Sequence, residues 1–302
     1  MTLITKRTFV SSLASLLLVL AVLGPWSNLP AQSRQQDKTD SHSTRARGSL
    51  STDAREQIEE AIGVICTQAK LDPQSSIAID ELQARPSLPI QSPEALSGAQ
   101  RAQRLLPVAK SLVVTTLQQV ATEYGFQKSS KFRKRMQQAI ARVNSVKRVT
   151  PDMESRDNAS VYLSKPHVIT FGTLFLAGLR SDEGMISVLA HELTHIADGD
   201  NDTLHVLVVA VGKRASDLTG LDIRGQRAEE ITCDLIGALA VRAHVVTSQN
   251  YESIARRLAR SVEHNCVEFD EADEDHLSPR NTIRALLALH PGLVGELIND
   301  RF

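Results

Sequence analysis

Apolar residues recur at every third or fourth position through most of the chain, a spacing that predicts helices and few strands. Ile58, Ile62, Ile65 and Ala69 mark a helix between Asp53 and Ala69. Asp72 to Gly98 follows with Pro73, Pro86, Pro89 and Pro93, and reads as an arm laid over a surface. From Ala99 the stripe returns with Ala102, Leu105, Leu106, Ala109, Leu112, Val113, Thr116 and Val120, and Gly125 closes it. A basic helix comes next, with Phe132, Met136, Ile140 and Val143 as its apolar face. Its charges, Lys131, Arg133, Lys134, Arg135 and Arg142, read as a solvated face. The period then changes to two. "SVYLS" (160–164) and "HVITFG" (167–172) predict a hairpin or two adjacent edge strands.

Ser181, Asp182 and Glu183 carry the signature of a helix start, and Gly199 that of its end. Between them run Ile186, Leu189, Ala190, Leu193 and Ile196. Further helices are expected at 203–217, 226–244, 251–264 and 279–288. The expected fold is mainly α with a small β-sheet, that is α+β.

The N-terminus differs from the rest. Lys6 and Arg7 precede the apolar run "FVSSLASLLLVLAVL", Phe9 to Leu23, and "GPWSNLPAQS" breaks it. Residues 1–31 therefore read as a secretory signal with an exit after Ala31, or as a single N-terminal membrane anchor. Residues 32–51 are polar and read as a disordered linker. An exported protein meets an oxidising compartment. Of its three cysteines, Cys66 and Cys266 are the pair to test first, leaving Cys233; the alternative is three buried thiols acting as small hydrophobes. The 302 residues carry a net charge of −1 and only 4% aromatic residues, which argues against a nucleic-acid partner.

Candidate chemistry lies in "VLAHELTHIADGD", Val188 to Asp200. His191 and His195 are four apart and share one helix face, so both imidazoles can address a single zinc ion. Glu192 is about 100° round the helix from His191, beside the metal and positioned as a general base. A third ligand within the same segment fails by register: Asp198 stands at the glycine position of the metzincin pattern and Asn201 at its last histidine. Asp200, Asp202 and His205 are close in sequence, but nothing fixes them to the same face. A second helix, "RAEEITCDLIGALAVRA" (Arg227 to Ala243), offers Glu230 and Asp234 four apart on an otherwise apolar face. Buried carboxylates there are costly unless paired or metal-bound. Glu230 can complete a site of two histidines and one glutamate. Asp234 can accept the hydrogen bond of a ligating histidine's outer nitrogen. Glu229 competes for the ligand role, but its i+4 neighbour is Cys233.

A strand pair, then "GLRSDEGMISVLAHELTHI", then "EEITCD" resembles the gluzincin family of CAAX prenyl proteases and bacterial heat-shock membrane proteases, peptidase family M-forty-eight. The likeness spans about Phe132 to Leu289. It implies a gluzincin-type metallopeptidase core over residues 99–302, with the active-site helix packed beside short strands. It implies one zinc per chain held by His191, His195 and Glu230, with Glu192 as base and Asp234 behind a ligand. The late "DHLSPRNTIRALLAL" resembles the family's closing segment, and His276 there is positioned to hydrogen-bond a tetrahedral intermediate. The segment departs from the family at Leu277, usually Pro, and at Thr282, usually Arg, although Arg280 and Arg284 are near. Residues 52–98 form an N-terminal helix and arm whose role as pro-segment, lid or oligomer contact the sequence leaves open.

The expected activity is endopeptidase cleavage of protein or peptide substrates in the periplasm, cell envelope or exterior. The rival is a zinc-binding envelope chaperone or assembly factor with little turnover.

Overall fold

The computed structural model describes residues 49–77, 81–82, 84–162, 165–199, 203–248, 250, 252–262 and 274–299. The signal or anchor segment, nearly all of the polar linker, and Cys266 lie outside these residues.

Helix α1 (Thr52–Leu71) starts at a Ser51 cap whose hydroxyl accepts from Ala54 N, and buries Ile58, Ala61, Ile62, Ile65 and Ala69. Helix α2 (Pro93–Glu123) begins at Pro93, not at Ala99. Pro93 stands at the first helical position, where a missing N–H costs nothing, so the proline read as a breaker is a starter. Helix α3 (Ser130–Ser145) follows with Phe132, Met136 and Val143 inward.

Strands β1 (Arg148–Asp152), β2 (Ala159–Val161) and β3 (Val168–Gly172) form one mixed sheet in the order β1-β3-β2. The expected hairpin is β2 against β3, with Ala159 opposite Phe171. β1 pairs parallel to β3, with Val149 opposite Ile169. Pro151 is tolerated in β1 because β1 is an edge strand. Ile169 and Phe171 of β3 are fully buried, one face of the period-two pattern.

The helices that follow are α4 (Thr173–Gly178), α5 (Asp182–Asp198), α6 (His205–Thr219), α7 (Gln226–Thr247), α8 (Ile254–Ala259), α9 (Pro279–Leu289) and α10 (Pro291–Asn299). The sequence pattern missed α4 and α10. None of the helices is long and apolar enough to cross a membrane among the described residues. Together the elements make a mainly helical α+β unit.

Helix α5 is the axis of the core. Met185, Ile186, Leu189, Leu193 and Ile196 are all buried, and α2, α3 and α7 pack around it. Both of its ends are held. Ser181 caps the start through Gly184 N (3.0 Å), while Arg104 and Arg101 of α2 reach Asp182 at 3.0 and 3.6 Å. At the other end Arg142 donates to the carbonyls of Ala197 (3.3 Å) and Asp198 (2.6 Å), and to Thr203 Oγ1 (2.6 Å). Arg142 is thus a cation on a helix C-terminus, where the dipole favours it, and not part of a solvated face. Gly199 leaves room for the guanidinium. Its φ is +61°, and a Cβ there would lie 2.6 Å from the guanidinium.

α1 packs on α8, α9 and α10. Its Glu59 carboxylate receives Arg280 (3.0 Å) and Arg284 (2.7 Å) of α9. Arg280 and Arg284 thus tie α9 to α1. Asp72, buried just past α1, receives Arg256 and Arg260 at 2.8 Å each. Cys66 of α1 is in a disulfide and Cys233 is a free thiol.

Burial alone would raise the Asp72 pKa, but Arg256, the Gln74 N–H and Arg260 outweigh it and hold the carboxyl below its usual range. A depressed carboxylate contributes stability above its unfolded pKa of about 3.9, lost as pH falls through the folded value. Asp72→Asn should cost about 3–5 kcal/mol and flatten the acid side of the stability curve. Thermal unfolding followed by circular dichroism from pH 3 to 7 checks this; an unchanged acid limb would remove Asp72 from it.

Candidate metal centre

α5 and α7 cross antiparallel, and the crossing builds the site. Gly237 of α7 meets the Ser187 carbonyl of α5, where a Cβ would stand only 3.2 Å away. The lack of a side chain permits the close approach. One turn back along α7, Asp234 meets His191; a further turn back, Glu230 and Glu229 meet His191 and His195. Two i,i+4 pairs on facing helices thereby become one cluster.

His191 Nδ1–H donates to Asp234 Oδ1 at 2.8 Å, and His195 Nδ1–H donates to Glu229 Oε1 at 2.9 Å. Each outer nitrogen has its own carboxylate, which leaves both Nε2 atoms turned to the same point. They are 3.1 Å apart. Glu230 stands against both: Oε2 is 3.2 Å from His191 Nε2 and Oε1 is 3.5 Å from His195 Nε2. Tetrahedral zinc with ligands at its usual bond lengths requires donor separations of about 3.3 Å. The three separations are of that size, with Glu230 turning a different oxygen to each ring. The donor set, two imidazoles and a carboxylate, also fits zinc chemically. The Sγ of buried Cys233 joins the ring nitrogens as well: donor atoms of His191, His195 and Cys233 all lie within 4.8 Å of one another, a group able to hold a metal ion.

The electrostatics show what the cluster lacks. Burial pushes both histidine pKa values down. At His191 the Asp234 and Glu230 carboxylates outweigh burial, and at His195 Cys233, Glu229 and Glu230 do. Both rings hold a proton well above the ordinary histidine range. Burial would raise Glu230, but hydrogen bonds and charge from His191 and His195 hold it well below the usual carboxylate range. Three carboxylates face two rings, so the pocket favours positive charge strongly. Without a cation, protons on the rings supply it; a divalent ion would supply it at one point.

The structure thus brings together His191, His195, Glu230 and Asp234 as the spacing predicted. Glu192 is 7% exposed and follows His191 on the same helix. His276, just before α9, places Nε2 3.6 Å from Glu230 Oε2 with its side chain 58% exposed. It lies beside the cluster and is largely exposed. Of the nearby alternatives, His205 is exposed at the start of α6, and Asp200 and Asp202 lie outside the described residues. Glu229 is the residue that sequence reasoning undervalued. It was weighed only as a rival ligand lacking a partner, whereas it orients His195 as Asp234 orients His191. From sequence alone Cys233 has no role at the site: it is the thiol left over from the expected Cys66 and Cys266 pair.

No protein-family model matches the chain, and neither a curated protein nor a solved structure shows a significant match to it.

Glu230→Ala should weaken zinc binding by at least about a hundredfold. Glu229→Gln and Asp234→Asn should keep one ion per chain but bind it about 10–100-fold more weakly. Metal analysis and competition with a chelating dye give these numbers. Full affinity in Glu229→Gln would show that its hydrogen bond to His195 does not matter for binding.

Proposed function

We propose that the chain is a zinc-dependent endopeptidase of the gluzincin type, acting on exported or cell-envelope proteins. One observation carries the reading: the Nε2 atoms of His191 and His195 and the Glu230 carboxylate converge with zinc-sized edges, while both outer ring nitrogens are held by carboxylates. Chance can place HExxH on a helix, but it does not supply a matched partner helix and an orienting group for each ring. The same arrangement is what the resemblance to the CAAX prenyl protease and heat-shock protease family implies.

A zinc ion held there supplies a Lewis acid that polarises the peptide carbonyl and acidifies water. The protein's own groups do the rest. Glu192 takes the proton of the attacking water at a carboxylate oxygen and passes it to the amine nitrogen as the C–N bond breaks. His276, beside the cluster, donates a hydrogen bond to the oxygen that becomes negative. Asp234 and Glu229 keep the two rings in the tautomer that presents Nε2 inward. The edge strand β2 packs beside α5, so an extended peptide can lie along it by main-chain hydrogen bonds.

Glu192→Gln is the test. The variant should bind one zinc per chain with unchanged affinity and lose cleavage of casein or an unfolded envelope protein by at least about a hundredfold. Cleavage equal to the parent's would end the base assignment. A parent that binds zinc and unfolded clients but cuts none of them would favour the chaperone reading.

A further inference from the structure

Cys233 has no role in the function proposed above, yet it sits inside the cluster. It lies on α7 between Glu230 and Asp234, so the turn that raises the carboxylates toward α5 also raises the thiol. It is 1% exposed and unoxidised, in a protein whose Cys66 is bonded. A cysteine that merely fills an aliphatic core is inert and has only carbon around its sulphur. This one has two imidazoles, and its Sγ is within 4.8 Å of a ring nitrogen of each. Thiolate is a preferred zinc donor and binds soft metals better than a carboxylate does.

We propose that Cys233 is a fourth protein ligand of the metal, so that the resting centre holds two imidazoles, one carboxylate and one thiolate. The inference rests on the zinc reading above and deepens it. Four protein donors around zinc is the coordination of a structural site; a catalytic one keeps a position for water. Here that position opens only when a donor on α7 lets go. The enzyme is therefore latent at rest, and Glu192 has no water to act on until Cys233 withdraws. A second consequence follows from the sulphur: the site takes cadmium in preference to manganese or magnesium, which favour oxygen donors.

Cobalt(II) reports the ligand directly. The full chain, stripped of metal by a chelator, is titrated with cobalt(II) alone and followed by absorption. The expected result is one ion per chain, the intense visible bands of tetrahedral cobalt, and a near-ultraviolet thiolate-to-cobalt charge-transfer band. Cys66, being in a disulfide, cannot supply that band. Cys233→Ala should still bind one cobalt, at least about tenfold more weakly, lose the charge-transfer band, and cleave peptide several-fold faster than the parent. Should Cys233→Ala fold poorly by circular dichroism, Cys233→Ser serves, and the parent's spectrum decides alone. A parent that binds one cobalt without the charge-transfer band overturns the thiolate ligand and leaves the His191, His195 and Glu230 site standing. A parent that binds no cobalt ends both readings.

Discussion

The structure depends on a charge constraint between two antiparallel helices. Glu229, Glu230 and Asp234 of α7 converge on two imidazoles of α5 within hydrogen-bond or near-contact distance. Half-buried carboxylates this close to one another are unfavourable unless positive charge is placed among them. The crossing of α5 and α7 is therefore not held by apolar contact alone. Apolar packing tolerates small rotations of one helix on another, but this cluster does not. One residue of slip turns a helix by about 100° and would carry both histidines off the shared face. The grips at the two ends of α5 belong to the same logic. Arg101 and Arg104 hold its start, and Arg142 its end, so the histidines arrive at one angle.

The same reasoning explains what the sequence made legible. A pair of residues four apart on one helix is a local fact, and the roles of His191, His195, Glu230 and Asp234 rest on such pairs. The direction in which two helices cross is not local. Glu229 gains its role only because α7 runs antiparallel to α5, which lines up 234, 230 and 229 against 191 and 195 in order. Read along α7 alone, Glu229 has Cys233 as its i+4 neighbour and looks unsupported. Arg142 was misread for a related reason: its charge lies on a basic helix and its partners are the carbonyls of another. β1 escaped notice because Pro151 interrupts a short polar run, and its pairing is parallel, which needs a partner some twenty residues on. Pro93 shows that a proline signals a boundary without saying on which side the helix lies.

The N-terminal helix poses a question that no reading along the chain could address. Glu59 and Asp72 find their arginines on α9 and α8, some two hundred residues later. These pairs, with the buried face of α1 on α8 to α10, bind the start of the described chain to its end. α9 is also the helix that His276 immediately precedes. α1 therefore packs against the helix that His276 precedes.

The electrostatic demand of the cluster bears on how a metal would enter. Carboxylates that orient the rings for zinc also raise the rings' affinity for protons. In a folded chain without metal, protonated His191 and His195 satisfy Glu230 in nearly the geometry that a cation would. A divalent ion held there would displace those protons, because a ligating imidazole is neutral. It also means that the orienting carboxylates act twice: with protons they keep α5 and α7 in register, and with a metal they fix which nitrogen of each ring can reach it.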